Sequence, residues 1–508
     1  MEGFKVVIVG GGSSHTPGII QSLIANLDRF PLKKLVLYDI DPDRLELVDT
    51  LCGSLIAKLD PECVYFTTTD PEKAYTDIDF AFAQIRQGGM EMREKDEKIS
   101  LEFGVVGQET CGPGGMAYGL RSIPGVFQVI DDVRKYAPEA WIINYSNPAA
   151  IVAEATRRKY NNYKILNICD MPVAIMLSFA KMLGLEKYND VDPVYFGLNH
   201  FGWWTHLYDK SGVDRMPELK EKIMKFGLAA SHDKHHSDPS WRHTWENFKE
   251  ILTDFPEYLP NTYLQYYLYA KESAEDMDPN YTRANMVMDG REKDMIEQAK
   301  LIRESGGKKE ANLNLFNAFG DFIVDVACSI AYNNADRYLV IVENKGCIPQ
   351  MPYDAMVEVP CYLRKWGPEP VTIGNIPQFQ LGMMMQQVSS EKLIVDAYFE
   401  HSYQKALEAF TMNKTVPSAK VARKILDKMI EPIRLLARTA LRSSGGKSWR
   451  RERRKLPFTV PETGKSSNDA CHDPAHRRYS GGHWLCVHDK EHCGTVAGSG
   501  QYLCQAVL

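Results

Sequence analysis

A thiol and a carboxyl stand side by side in Asn167-Ile168-Cys169-Asp170-Met171-Pro172, where the apolar run Lys164–Ile168 stops. If Tyr163–Ile168 is a strand of an open α/β sheet, both side chains lie at the mouth of the crevice outside the strand's carboxyl end, where such sheets bind ligands. Cys169 then offers a soft metal ligand, and Asp170 an acid, a base or a second ligand. The plainer reading is a buried cysteine and a helix N-cap, since Asp before Met-Pro suits a helix start. His200 sits in the aromatic segment Val194–Trp204. Alone it reads as a core histidine; paired with Cys169 it makes a metal site. Glu109 is the acid carried by the glycine-rich loop Gly104–Gly115, and such loops face a ligand or another chain segment. Tyr263, within Leu259–Leu268, and Arg283, within Asn280–Asn285, read in isolation as core and surface residues. Arg93 falls in the charged helical stretch Met90–Ser100, whose plainer reading is a solvated face. Asn147 lies in Ser146-Asn147-Pro148, just past the strand Ala140–Tyr145 and before a helix over Ala149–Arg158; it either caps that helix or touches substrate.

These residues need a scaffold, and the N-terminus offers one. The buried-strand run Phe4–Val9 leads at once into Gly10-Gly11-Gly12-Ser13-Ser14-His15, and then into an apolar-periodic helix over Ile19–Leu27. Strand, glycine turn and helix form a dinucleotide-binding opening, in which small residues let the backbone approach a pyrophosphate. A second strand, Lys34–Tyr38, ends in Asp39, whose carboxylate suits an adenosine ribose and favours NAD over NADP. The strict G-x-G-x-x-G pattern fails, because His15 stands at its last glycine. Further strands are expected at Tyr65–Thr69, Asp79–Ile85, Tyr338–Val342 and Ala355–Pro360, and helices at Phe319–Tyr332 and Gln386–Glu431. The fold expected is α/β: a Rossmann-like NAD-binding domain over 1–195, then a mixed α+β domain over 196–440 that binds substrate and metal and mediates oligomerisation.

At 508 residues the chain has room for two such bodies. Hydrophobic content of 44% and charged content of 25% are those of a globular protein. A net charge of -6 argues against nucleic acid as a partner. Eleven cysteines scattered singly point to reduced thiols in a cytoplasm. No signal peptide and no run long enough to span a bilayer is expected. Beyond about residue 440 a basic run gives way to Cys and His at spacings that match no common zinc finger. Residues 441–508 are expected to be a disordered or out-of-frame tail.

Taken together, Ile168-Cys-Asp-Met-Pro172 and Gly197-Leu-Asn-His-Phe-Gly-Trp203 resemble glycoside hydrolase family 4, the NAD- and metal-dependent glycosidases. Matching motifs occur in one order at Gly107–Gly115, Asn144–Pro148, Pro260–Leu264, Thr282–Asn285 and Met356–Pro360. The Cys-Asp-Met-Pro form looks most like the branch that acts on 6-phospho-α-glucosides such as maltose 6′-phosphate. Three segments depart from the family pattern: Arg86–Arg93, Ser14-His15 in the glycine turn, and the Asn317–Asp321 region, which lacks an expected Asp-His-Ala. The resemblance implies an architecture like that of lactate and malate dehydrogenases. It implies Cys169 and His200 as ligands of Mn²⁺, Asp170 as proton donor and Tyr263 as base. Glu109 would lie near Tyr263 and raise its basicity, and Arg93, Asn147 and Arg283 would contact substrate. The implied route is redox elimination, the stated exception to two-carboxylate glycoside hydrolysis. Oxidation at C3 acidifies the C2 proton, the aglycone leaves from C1, and the hydride returns. A homodimer or homotetramer is expected. Three alternatives stay open: an NAD-dependent dehydrogenase of a hydroxy acid or sugar, a non-catalytic NAD-binding regulator, and a 6-phospho-β-glucosidase or α-galactosidase of the same family.

Overall fold

Every position of Phe4–Val9 except Lys5 is apolar, and the strand they form, β1, is covered on both faces. Val6 and Ile8 pack to one side of the sheet, Val7 and Val9 to the other, each exposed by 1% or less. A parallel strand flanked by helices needs such an unbroken run, and each fully buried Val or Ile contributes about 1.5–3 kcal/mol over an exposed one. The computed structural model describes residues 3–227, 239–307, 309, 311–312 and 320–430. The region 441–508 lies outside them.

The remaining strands are β2 (Leu32–Tyr38), β3 (Val64–Thr68), β4 (Phe80–Ala83), β5 (Trp141–Asn144), β6 (Ile165–Asn167), β7 (Val191–Leu198), β8 (Phe201–Asp209), β9 (Leu259–Pro260), β10 (Arg337–Glu343), β11 (Met356–Arg364) and β12 (Gly367–Pro370). All belong to one sheet. Its first half runs β3-β2-β1-β4-β5-β6, wholly parallel. This is the doubly wound order whose crevice opens between β1 and β4, where the direction of winding reverses. The α/β expectation is met there. The sheet then continues antiparallel through β10, β11, β7, β8 and β9. Residue 195, where the sequence places a domain boundary, lies inside β7. The same sheet therefore carries Cys169 past β6 and His200 between β7 and β8.

Several local expectations change. The strand before Cys169 shrinks to Ile165–Asn167, because Lys164 takes a left-handed conformation (φ 52) in the turn that precedes it. The glycine-rich loop ends earlier than expected, since a 25-residue helix starts at Gly112 and runs to Tyr136. Its glycines serve close packing. A Cβ on Gly107 would lie 2.4 Å from the Glu97 carbonyl oxygen, and one on Gly115 would lie 2.4 Å from the Thr110 backbone. The loop thus lies flat against the Gly89–Glu102 helix, with Glu109 pressed towards that helix's arginine. That helix is no solvated face: Met92, Arg93, Asp96, Glu97, Ile99 and Ser100 are buried along it. Among the described residues no helix is long and apolar enough to cross a membrane.

Candidate active site

A cleft of about 2270 Å³ lies over the carboxyl ends of β1, β2, β4, β5 and β6. Small-molecule pockets are usually about 300–1,000 Å³, so this one has room for a dinucleotide and a sugar together. Twelve of the thirteen candidate residues line it; Gly11 does not.

The nucleotide end is built by the glycine turn. Gly10 has φ +80, and a Cβ there would lie 2.8 Å from the Gln84 carbonyl oxygen. Gly11 faces away, and its Cβ would strike Leu37 at 2.9 Å, so it serves packing against β2 and not ligand contact. Asp39 closes the turn from behind, with Oδ2 accepting from Gly12 N at 2.9 Å. Gly12 and Ser13 border the cleft ahead of the Thr16–Ala25 helix. A glycine turn bordering the cleft, a helix start and an acid at the end of β2 fit NAD. Across the cleft, Glu292 accepts from Ser14 Oγ and pairs with Arg44 Nη1 at 2.6 Å, tying this turn to the later half of the chain.

At the centre, Cys169 Sγ lies 3.2 Å from His200 Nε2, and both residues are buried. The imidazole tautomer follows from its neighbours. Gln108 Oε1 can only accept, and it takes the Thr110 hydroxyl at 3.1 Å. Thr110 Oγ1 therefore accepts from His200 Nδ1–H at 3.0 Å, which leaves the Nε2 lone pair facing the thiol. A metal ligand held by its other ring nitrogen is the usual arrangement. Burial lowers the imidazole to about 4 despite Glu109, so His200 is neutral. Burial, with Asp170 and Glu358 adding to it, pushes the Cys169 thiol well above its ordinary value. At 3.2 Å the sulfur and Nε2 are close enough to serve as donors to one ion. Among the described residues no group of three or more His, Cys, Asp or Glu side chains gathers at one point.

Tyr263 packs edge-on against His200, with ring centroids 4.4 Å apart. Asn261 Oδ1 accepts from Tyr263 N at 3.0 Å and fixes its short turn. Burial, Tyr266, Cys111 and Glu109 all raise the Tyr263 phenol well above its ordinary value. The phenol is therefore protonated at neutral pH. Asp170 occupies the N-cap position of the Met171–Met182 helix but makes no side-chain cap bond, so its carboxyl is not spent on the helix. Asn147 likewise does not cap the following Ala149–Tyr160 helix, whose N-cap residue is Pro148.

The far end is cationic. Glu109 pairs with Arg86 and, at 2.9 Å, with Arg93 Nη1. Burial alone would raise the Glu109 carboxyl, but the two guanidinium groups outweigh it and hold it at about 2. Arg93 also donates through Nε to Glu97 Oε1 at 2.7 Å. The other oxygen of Glu97 accepts from Ala284 N at 2.8 Å, beside Arg283 at the start of the Arg283–Val287 helix. Glu97 therefore sets Arg93 and Arg283 in one frame. Arg291 joins the cluster. Burial and the nearby Arg283, Arg93 and Arg86 lower it to about 10, against Glu292. Buried Arg86 Nη1 and Arg291 Nε have no hydrogen-bond partner within the described residues. A cluster of four guanidinium groups, Arg86, Arg93, Arg283 and Arg291, suits a multiply charged anion such as phosphate. The sequence reading had missed Arg86, Glu97, Thr110 and Arg291. Arg86 and Arg291 are some 200 residues apart, and no spacing rule joins them.

Known proteins resemble this chain over most of its length. Residues 5–185 match the family described as "Family 4 glycosyl hydrolase", and residues 195–416 match "Family 4 glycosyl hydrolase C-terminal domain". A maltose-6′-phosphate glucosidase of Clostridium acetobutylicum is 51% identical over 432 residues, 85% of this chain and 98% of that protein. A solved 6-phospho-α-glucosidase from gut microorganisms, in complex with NAD and Mn²⁺, is 49% identical with a TM-score of 0.81. It is matched over 85% of this chain and 98% of its own. A second, in complex with NAD and glucose 6-phosphate, is 46% identical with a TM-score of 0.82 over the same shares.

Proposed function

The chain belongs to family 4 of the glycosyl hydrolases, and from that premise we propose that it hydrolyses 6-phospho-α-glucosides such as maltose 6′-phosphate. The products are glucose 6-phosphate and an aglycone, and the route is NAD- and Mn²⁺-dependent redox elimination. The observation that carries this is the placement of Cys169 and His200, 3.2 Å apart, between a glycine turn and an arginine cluster in one cleft. The 6-phospho-α-glucosidase relatives support the α-anomer and the phosphate.

When bound, NAD⁺ supplies a hydride acceptor and Mn²⁺ a Lewis acid, which together make the proton on sugar C2 removable. The chain does the rest. Gly10, Gly12 and Ser13 seat the pyrophosphate, with Gly11 packing the turn against β2, and Asp39 stands at the ribose. Cys169 and His200 Nε2 hold the metal. Arg283 takes the 6-phosphate, where a guanidinium forms paired contacts, and Arg93 and Asn147 orient the sugar. Tyr263 removes the C2 proton, with Glu109 raising its basicity. Asp170 donates a proton to the glycosidic oxygen as it leaves C1. The free thiols of the described cysteines support a cytoplasmic setting, since Cys169 must stay reduced to bind. Phe255 and Phe379, exposed by 37% and 46% and stacked at 5.3 Å, support a homodimer or homotetramer.

The test is p-nitrophenol release from p-nitrophenyl α-glucoside 6-phosphate, with NAD⁺ and Mn²⁺ present and each omitted in turn. Turnover needing both, and absent with the unphosphorylated glucoside, is expected. Net accumulation of NADH would select a dehydrogenase instead.

A further inference from the structure

One motif remains without a role in the reaction. Glu358, in the middle of β11, is 0% exposed, and its two hydrogen bonds come from neutral groups. Tyr195 Oη donates to Oε2 at 2.8 Å, and Asn199 Nδ2 donates to Oε1 at 3.0 Å. Burying a carboxylate without a cation is costly, so its place asks for a reason. Its position supplies one. Glu358 pairs with Gly197 across the β11–β7 junction, just before the turn that carries His200.

That turn is unusual. Leu198 pairs with Phe201, so Asn199 and His200 alone join β7 to β8. Two-residue hairpin turns favour positive φ at their first or at both central positions. Here His200, the second, has φ +63, and Asn199 is not among the residues with positive φ. A histidine in the left-handed region and a turn that does not match the strand twist both need outside support. Asn199 provides the link. Its side chain donates to Glu358, and its backbone leads directly into His200, whose Nε2 faces the Cys169 thiol. Tyr195 closes the frame: its phenol lies so near Gly202 that a Cβ there would fall 2.1 Å from Oη.

We propose that Glu358 is a positioning residue of the metal site, holding Asn199 so that the Cys169 thiol and the His200 imidazole converge on one ion. The inference rests on Cys169 and His200 being the metal donors. The bland alternative is that Glu358 only joins β11 to β7. Stability and metal affinity separate the two.

The experiment compares the wild-type chain with E358Q, both saturated with NAD⁺, and titrates each with Mn²⁺ while following the electron paramagnetic resonance signal of the free ion. Outer hydrogen-bond partners of metal ligands are typically worth about 10–100-fold in affinity. E358Q is expected to weaken Mn²⁺ binding by about tenfold or more, with NAD⁺ affinity changed less than about twofold. N199A should match it, and the double variant should be no worse than N199A alone, because the effect passes through Asn199. A folded E358Q with wild-type Mn²⁺ affinity, even with a lowered Tm, overturns the inference. If E358Q does not fold, N199A decides: undiminished Mn²⁺ affinity there overturns it equally. Wild-type protein that takes up no Mn²⁺ overturns the metal reading of Cys169 and His200, and this inference with it.

Discussion

Replacing Glu97 by Gln tests whether the cationic end of the cleft is one frame. Glu97 is 0% exposed and is bonded twice, to Arg93 Nε at 2.7 Å and to Ala284 N at 2.8 Å. Gln keeps one acceptor oxygen and turns an NH₂ towards the other donor. Losing a charge-assisted bond costs about 1.5–3 kcal/mol, and a buried donor left facing a donor costs about 1–3 kcal/mol. A midpoint of about 4 kcal/mol is the expected loss of stability. Unfolding entropy of about 2.1 cal/mol/K per residue over 508 residues converts this to a fall in Tm of ~4 °C. The functional loss is larger, because Glu97 is what relates Arg93 to Arg283. Misplacing a binding group by about 1 Å costs on the order of 10²-fold. E97Q is therefore expected to lower kcat/KM for the 6-phosphorylated α-glucoside by about 10–100-fold, mostly through KM, with NAD⁺ affinity unchanged. Initial rates and thermal unfolding measure both. A folded E97Q with the expected fall in Tm but wild-type kcat/KM would refute the shared frame and leave Glu97 a structural residue.

Tyr263→Phe should lower kcat by about 10²–10⁴-fold, the range for a lost general base, and abolish deuterium incorporation at C2 of the product in heavy water; retained exchange would assign the base elsewhere. Chelated enzyme should recover more activity with Mn²⁺ than with Zn²⁺, since substrate oxygens would complete the shell begun by Cys169 and His200 and oxygen ligands suit Mn²⁺; the reverse ranking, in an activity titration, would count against the metal assignment. Glu391 is buried, and burial pushes its carboxyl up to about 8 against a bond from Gln387. The folded chain thus keeps a proton that the unfolded chain releases above its ordinary value of 4.5, so this group costs stability progressively as pH rises from about 4.5 to about 8. E391Q should lose less stability than wild type over that window in urea unfolding, and parallel curves would show that Glu391 does not titrate as the structure implies.

Local pattern made some of this molecule legible. The unbroken apolar run of β1, the glycine turn and Asp39 announce a parallel nucleotide-binding sheet, because backbone sterics and burial on both faces act over a few residues. Cys169, at the end of a strand, was readable as a crevice residue for the same reason. What decided its role was tertiary. Only folding sets His200 Nε2 at 3.2 Å from its sulfur, and only Gln108 and Thr110 fix which ring nitrogen faces it. Arg93 shows the limit most sharply. A stretch as charged as Met90–Ser100 reads as a solvated face, yet Arg93 is 8% exposed because Glu97 and Glu109 neutralise it inside. The loop carrying Glu109 was expected to face a ligand or another chain segment; it does both, lining the cleft while Gly107 admits the neighbouring helix at close range. Arg86 joins Arg283 and Arg291 across a gap in sequence that no periodicity spans. Sequence by itself determined the elements and the chemical types available; the tertiary structure decided which charges are buried together, and so which of them can act.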